Sequence, residues 1–240
     1  MFDFLKRTPG SQVDKLIKRL TETGGEESPR IEAAEKLAEL NTPEATYALL
    51  KRFTMSSKVI SSDVEEKHMV VRMLVDKGQD AVEPILKFMT THHQVEWPVR
   101  ALMKILPQEE WAPRLVQILE NVAQNPFTSP EHRSSLIRAM HGNVTPEIAA
   151  TLRKSLDDDD DDVAIAAIQA IAELGEEVRE PLLELFIRAE GRPRIRIAIG
   201  ELCADREWAV KGYRPSIEAT LPEGFHLTAK GFIRRKGVPA

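Results

Sequence analysis

An all-α chain of about five stacked helical hairpins, closed by a small C-terminal β-hairpin, is what this sequence predicts. Three observations carry the expectation. Apolar residues recur at three-four spacing in paired short segments, with Pro, Gly or Thr-Pro-Glu turns between them. The pairs return with a period of about 30 to 37 residues, the range of helical solenoids, in which each pair buries its faces only against its neighbours. The core material is Ala, Leu, Ile, Val and Met, with only 5% aromatics, and Ala and Leu favour helices where aromatic residues favour strands.

The elements come in order along the chain. Residues 1–27 read as an N-terminal segment with a capping helix. Its opening, MFDFLKR, sets Phe2, Phe4 and Leu5 ahead of Lys6 and Arg7, which fits a terminus docking a few apolar side chains, or a short membrane-touching foot. The array spans 28–190. In Arg30 to Phe53, Ala33, Ala34, Leu37 and Ala38 share one helical face. Thr42-Pro43-Glu44 then caps and starts a second helix carrying Tyr47, Leu49, Leu50 and Phe53. The segment from His132 repeats that plan with Arg133, Leu136, Ile137 and Met140 ahead of Thr145-Pro146-Glu147. A second sub-pattern links the stretches from Val70 and Ala167, where Gly78 and Gly175 stop the first helix and Glu83-Pro84 and Glu180-Pro181 open the second. The stretch from Val95 fits between them, with Pro107 in its turn. Pro84, Pro113 and Pro181 are expected to kink the second helices near their first turns.

These residues resemble the HEAT repeat family, in the form of a bacterial HEAT-like repeat protein. The match rests on the paired helices, the small-small-x-x-Leu pattern of the first, the Pro or Gly-acidic turns, and a basic residue opening the first helix at Arg30, Lys67 and Arg133. It covers about residues 28–190, with a degenerate further first helix at Arg194 to Ala204. The fifth pair places Ala164 where the basic residue belongs, so a ladder of buried charge pairs would be incomplete there. The resemblance implies a right-handed α-solenoid.

Six aspartates, Asp157 to Asp162, precede the apolar helix of the fifth pair. The last of them is expected to cap that helix and its neighbours to meet the positive end of the dipole. A calcium loop needs a mid-loop glycine and a closing bidentate Glu, and both are missing. The histidines make no H-x-x-x-H pair, and no glycine-rich phosphate loop or Gly-x-Ser-x-Gly elbow occurs. No catalytic, cofactor-binding or metal-ligating set is predicted. Cys203, the only cysteine, excludes an intrachain disulfide and falls on an apolar helix face with Ala198, Ile199 and Leu202, pointing to a buried thiol in a reducing cytoplasm. No run is long enough to cross a bilayer, and no secretory leader is expected.

Residues 191–240 differ in material: a degenerate last repeat, then a basic cap. From Ile187 onward the chain holds eleven Lys and Arg against six Asp and Glu, although its net charge is -5. Phe225 to Thr228 and Phe232 to Arg235 flank Ala229-Lys230-Gly231, with glycine where a tight hairpin needs positive φ. The hairpin is expected to cover the last repeat, because an uncapped array exposes an apolar face.

Function divides three ways. The first is a non-catalytic scaffold that binds a protein partner along its second helices, where Glu83, Glu109, Glu110, Glu120, Glu177, Glu180 and Glu184 suit a basic segment. Trp97 and Trp111 serve there either as docking anchors or as core. The second is a nucleic-acid binder using Arg192, Arg194, Arg196, Arg234 and Arg235, although the net negative charge argues against a broad nucleic-acid surface. The third is an enzyme, since bilin lyases and alkylpurine-type DNA glycosylases also carry HEAT-like repeats. A basic tail on an acidic body also permits head-to-tail self-association.

Overall fold

The computed structural model describes residues 9–24 and 26–237; Met1 to Arg7, with the expected docking foot, lie outside them. Among the described residues the regular elements are helices and one two-stranded antiparallel sheet, and the chain divides into two compact units, Met1–Val122 and Ala123–Ala240. Each unit is built as an α-solenoid is, from helical pairs stacked in rows.

In the first unit α1 (Pro9–Leu20) lies on α2 (Glu27–Glu39) and α3 (Pro43–Leu50), burying Leu16 and Leu20 as a cap does. After α4 (Ile60–Lys77) and α5 (Val82–Thr91) come α6 (Glu96–Ile105) and α7 (Gln108–Gln124), the last reaching just past the unit. The first helices α2, α4 and α6 pack in one row, and α3 packs on α5 in a second. The turns are as the residues dictate. Thr42 accepts a hydrogen bond from the Ala45 N–H at 3.2 Å and Pro43 takes the first helical position, where the missing N–H costs nothing. Gly78 ends α4 at φ +56, a left-handed conformation open to a residue without Cβ.

The second unit repeats the plan with α8 (Pro130–Arg138), α9 (Pro146–Leu152), α10 (Asp161–Ile171), α11 (Arg179–Arg188), α12 (Pro193–Asp205) and α13 (Arg214–Thr220). Helices α8, α10 and α12 form the first row, and α11 packs on α12 and α13. Thr145 caps α9 as Thr42 caps α3, accepting from the Ile148 N–H at 3.3 Å. Gly175, at φ +80, separates α10 from α11.

Two local expectations change. Pro84 and Pro181 each stand third in their helix, after 3-10 turns, so they fall in the first turn, where the amide would have no helical acceptor and no bond is lost. Only Pro113 of the three sits inside a helix. The cap of α10 is not the last aspartate of the run but the fourth, Asp160, which accepts from the Asp162 and Val163 N–H groups at 2.9 and 3.3 Å.

The C-terminal hairpin pairs β1 (Phe225–Leu227) with β2 (Ile233–Arg235) in antiparallel register, His226 opposite Arg234. Gly231, at φ +84, supplies the turn, and Thr228 Oγ1 accepts from the Phe232 N–H at 3.0 Å. The hairpin lies on α12, where Gly200 makes room for it: a Cβ there would stand 3.4 Å from the Phe225 ring. Phe225 and Ile233 are buried.

Candidate interaction surface

Charge is distributed differently in the two units. In the first, Glu66 of α4 lies between two guanidiniums. Arg30 of α2 donates to it at 2.6 and 3.0 Å, and Arg52, just past α3, donates at 2.8 Å. Arg52 also binds Asp63 at 2.7 Å, and Asp63 in turn accepts from Lys67 Nζ at 2.7 Å and the Ser57 N–H at 2.8 Å. Arg30, Arg52 and Glu66 are at most 4% exposed. Burial alone pushes the Glu66 carboxyl up, but the hydrogen bonds and charges of Arg30 and Arg52 reverse this and hold it below its ordinary range. Asp63 behaves likewise, burial opposing the bonds from Lys67, Arg52 and Ser57 that win. Two of the basic residues that open first helices, Arg30 and Lys67, thus enter one buried network. Its third cation, Arg52, had no signal in the repeat pattern.

In the second unit the aspartate run is a clamp. Asp158 takes a two-point bond from Arg133 of α8, both at 3.0 Å. Asp161 accepts from Arg192 at 2.8 Å, Asp157 from Arg188 at 2.7 Å, and Asp162 from Arg194. With Asp160 capping, five of the six carboxylates have named tasks, and Asp159 is exposed. The run therefore joins α8 and α12 to the start of α10. Ala164 leaves the basic position of α10 empty, and Arg192, just before α12, and Arg194, in its first turn, reach back to the start of α10 instead.

Pairing of this kind also engages the other arginines predicted for the basic tail. Arg196 donates to the Phe186 and Ile187 carbonyls at 3.0 and 3.1 Å, Arg234 to Glu207 at 2.7 Å, and Arg235 to Asp205 at 2.7 Å. Together with Arg192 and Arg194 on the clamp, all five tail arginines are bonded within the fold.

The predicted docking glutamates are on the second helices, in both units. Glu83 and Glu109 are exposed in the first turns of α5 and α7, while Glu110 lies 3.7 Å from Arg114. Glu177 is exposed just before α11, Glu180 is exposed on it 3.6 Å from Arg179, and Glu184 accepts from the Tyr213 hydroxyl at 3.2 Å. Trp111 is a correction to the docking set: it is only 6% exposed and belongs to the core. Trp97 is half-buried on α6, stacked on Phe53 and edge-on to His68, with the Arg100 guanidinium 4.9 Å from its ring. It lines a shallow depression of about 260 Å³ between α4 and α6.

A cluster unmarked by the sequence patterns sits where α3 meets α5. The Lys51 and Lys87 ammoniums lie 5.3 and 5.5 Å from the Tyr47 ring centre, and His92 stacks on Phe88 at 4.2 Å. Lys51 Nζ donates to His92 Nε2 at 2.7 Å, so the imidazole carries its proton on Nδ1 and donates it to Thr91 Oγ1 at 2.8 Å. His92, the residue that ends α5, thus holds a lysine in place.

Chemistry by the lone thiol is disfavoured by its surroundings. Cys203 is fully buried, and that burial pushes its thiol up to about 12, with only partial relief from the Arg179 charge. Among the described residues no group of three or more His, Cys, Asp or Glu is placed to hold a metal ion, and no helix is long and apolar enough to cross a membrane.

A search of curated proteins returned no match to the sequence. Residues 112–203, from α7 through most of α12, match the family model described as HEAT repeats. Paired helices stacked in rows, capped by Thr-Pro-Glu and stopped by glycine, agree with that match: residues 112–203 carry HEAT repeats, and the helical pairs of the described residues have the α-solenoid build of that family.

Proposed function

We propose that this protein is a HEAT-repeat, non-catalytic cytoplasmic adaptor that binds a partner protein along the exposed faces of its second helices. The observation that carries the reading is the outward face of α11 and its approach, where Glu177, Glu180 and Glu184 stand exposed while the apolar residues of the same helix, Leu182, Leu183 and Phe186, are buried. Aligned carboxylates on a rigid helix steer a basic segment to the surface and set its register. The C-terminal hairpin is read as a cap. Its arginines pair at the surface with carboxylates and a carbonyl of the same unit, an arrangement that suits sealing the last repeat more than gripping a phosphate backbone.

A labelled hexalysine peptide, titrated against the full chain by fluorescence anisotropy, tests the reading. Binding weakened about tenfold by Glu180→Gln/Glu184→Gln is the expected result. Binding indifferent to those substitutions would remove α11 from the docking surface, and tight DNA binding lost on Arg234→Gln/Arg235→Gln would favour the nucleic-acid reading instead.

A further inference from the structure

The second helices of the first unit carry a chemistry opposite to that of α11. Glu44 and Tyr47 share one face of α3, Lys51 just past its end continues that face at i, i+3 and i+7, and Glu83 and Lys87 share one face of α5. Each of the two helices thus presents a carboxylate near its start and an ammonium further on. Both ammoniums lie against the same tyrosine ring. With both within 5.5 Å of the Tyr47 ring centre, they are less than about 11 Å apart, close enough to repel through the protein surface.

Neither ammonium is neutralised by a described residue. Among the described residues no carboxylate lies within ion-pair distance of Lys51 or Lys87. This is notable for Lys87, because Glu83 stands one turn before it, the favoured order for a helical ion pair. Lys87 leaves that partner and turns to the aromatic ring. Lys51 is held by a neutral acceptor, His92 Nε2, which fixes its position without removing its charge. The imidazole is itself fixed from both sides, by Thr91 Oγ1 at one nitrogen and by its stack on Phe88. Two cations are therefore positioned in advance, beside a half-buried tyrosine, in a chain whose net charge is -5. Positioning side chains before binding lowers the conformational entropy lost on association.

We propose that Tyr47, Lys51 and Lys87, with His92 as the positioning residue, form a docking point for an acidic peptide segment of a partner protein. A carboxylate of the segment sits between the two ammoniums and the chain lies against the tyrosine ring. The banding of the surface favours a peptide over a nucleic acid. A continuous phosphate backbone entering the site would meet Glu44 and Glu83 on the same two helices, whereas a peptide places its charges individually. The proposal rests on the scaffold reading in taking second helices as the docking face, but it names different residues and the opposite partner charge.

The probe is a labelled hexaglutamate peptide, measured by fluorescence anisotropy against the full chain at low salt. The expected result is binding that Lys51→Gln/Lys87→Gln weakens at least about tenfold, that added salt weakens further, and that Glu180→Gln/Glu184→Gln leaves unchanged. Should the double variant lose its melting transition, the single variants, each expected to weaken binding about threefold, decide the matter. No binding, equal binding by the lysine variants, or displacement by inorganic phosphate at concentrations matching the peptide's would overturn the proposal. Hexalysine binding, measured in parallel, reads the carboxylates and not the lysine pair, so a failure there leaves this result readable.

Discussion

Two units built to one plan join their hairpins with charges in different places. In residues 1–122 the joint is internal: Glu66 and Asp63 of α4 tie Arg30 of α2 to Arg52 beyond α3, all shielded from water. In residues 123–240 it runs along the rim. Arg133 and Asp158 are 20% and 16% exposed, and Arg194 and Asp162 are more than half exposed. The middle helix explains the difference. Helix α10 is lined with Ala164, Ala166, Ala167 and Ala170, all fully buried, and small residues let neighbouring helices approach closely enough to be held by dispersion. That leaves the charges to its exposed end. Helix α4 instead carries carboxylates inward, and a buried carboxylate requires a fixed cation on every open side. Chemically similar pairs should therefore differ sharply in what their loss costs.

The largest effect is expected at Glu66. Glu66→Gln leaves two buried guanidiniums facing a neutral amide, and urea unfolding of the full chain should register a loss of about 3–5 kcal/mol. Hydrogen exchange should place the loss in residues 1–122. A change below about 1 kcal/mol would mean that water reaches the network and that the contrast between the units is false. Acid should expose the same joint. Glu66 and Asp63 titrate below their ordinary range when folded, so the unfolded chain binds more protons than the folded one as pH falls. Their contribution is complete above the ordinary carboxylate range and drains away as pH drops through it toward the depressed folded values. In Glu66→Gln that acid-dependent loss should shrink, and an unchanged pH profile would assign it elsewhere.

The rim joint should give less. Asp158→Ala removes the two-point partner of Arg133 at a partly exposed site and should cost about 1–2 kcal/mol. Molar salt should narrow the gap from the parent, which it should not do for Glu66→Gln, because screening acts on exposed pairs. Smallest of all is Asp159→Asn, expected within about 0.5 kcal/mol of the parent. Equal losses at positions 158 and 159 would show that the run acts through its bulk charge, not as a set of individual bonds.

The repeat was open to reading because its causes are local. Thr42-Pro43-Glu44 and Thr145-Pro146-Glu147 cap helices wherever they occur, and Gly78 and Gly175 stop them by adopting a conformation that Cβ disfavours. The hairpin around Gly231 and the burial of Cys203 obey the same logic of short-range pattern. The surface was less open. Trp111 and Trp97 look alike in sequence, yet one is core and the other lines a groove. The tail arginines read as a free basic patch because their carboxylate partners, such as Asp161 and Asp162, lie some thirty residues earlier. Lys51 and Lys87 belong to different hairpins, so no local pattern unites them.

What the amino-acid order determined by itself was which segments of the array turn helical, which turns separate them, and that their apolar faces need neighbours; backbone preference and periodicity act within a few residues. Only the tertiary structure decided which charges meet. Ion pairing depends on distance through space, and stacking brings Arg30 to Glu66, Arg192 to Asp161 and Lys51 to Lys87 across thirty or more residues of chain.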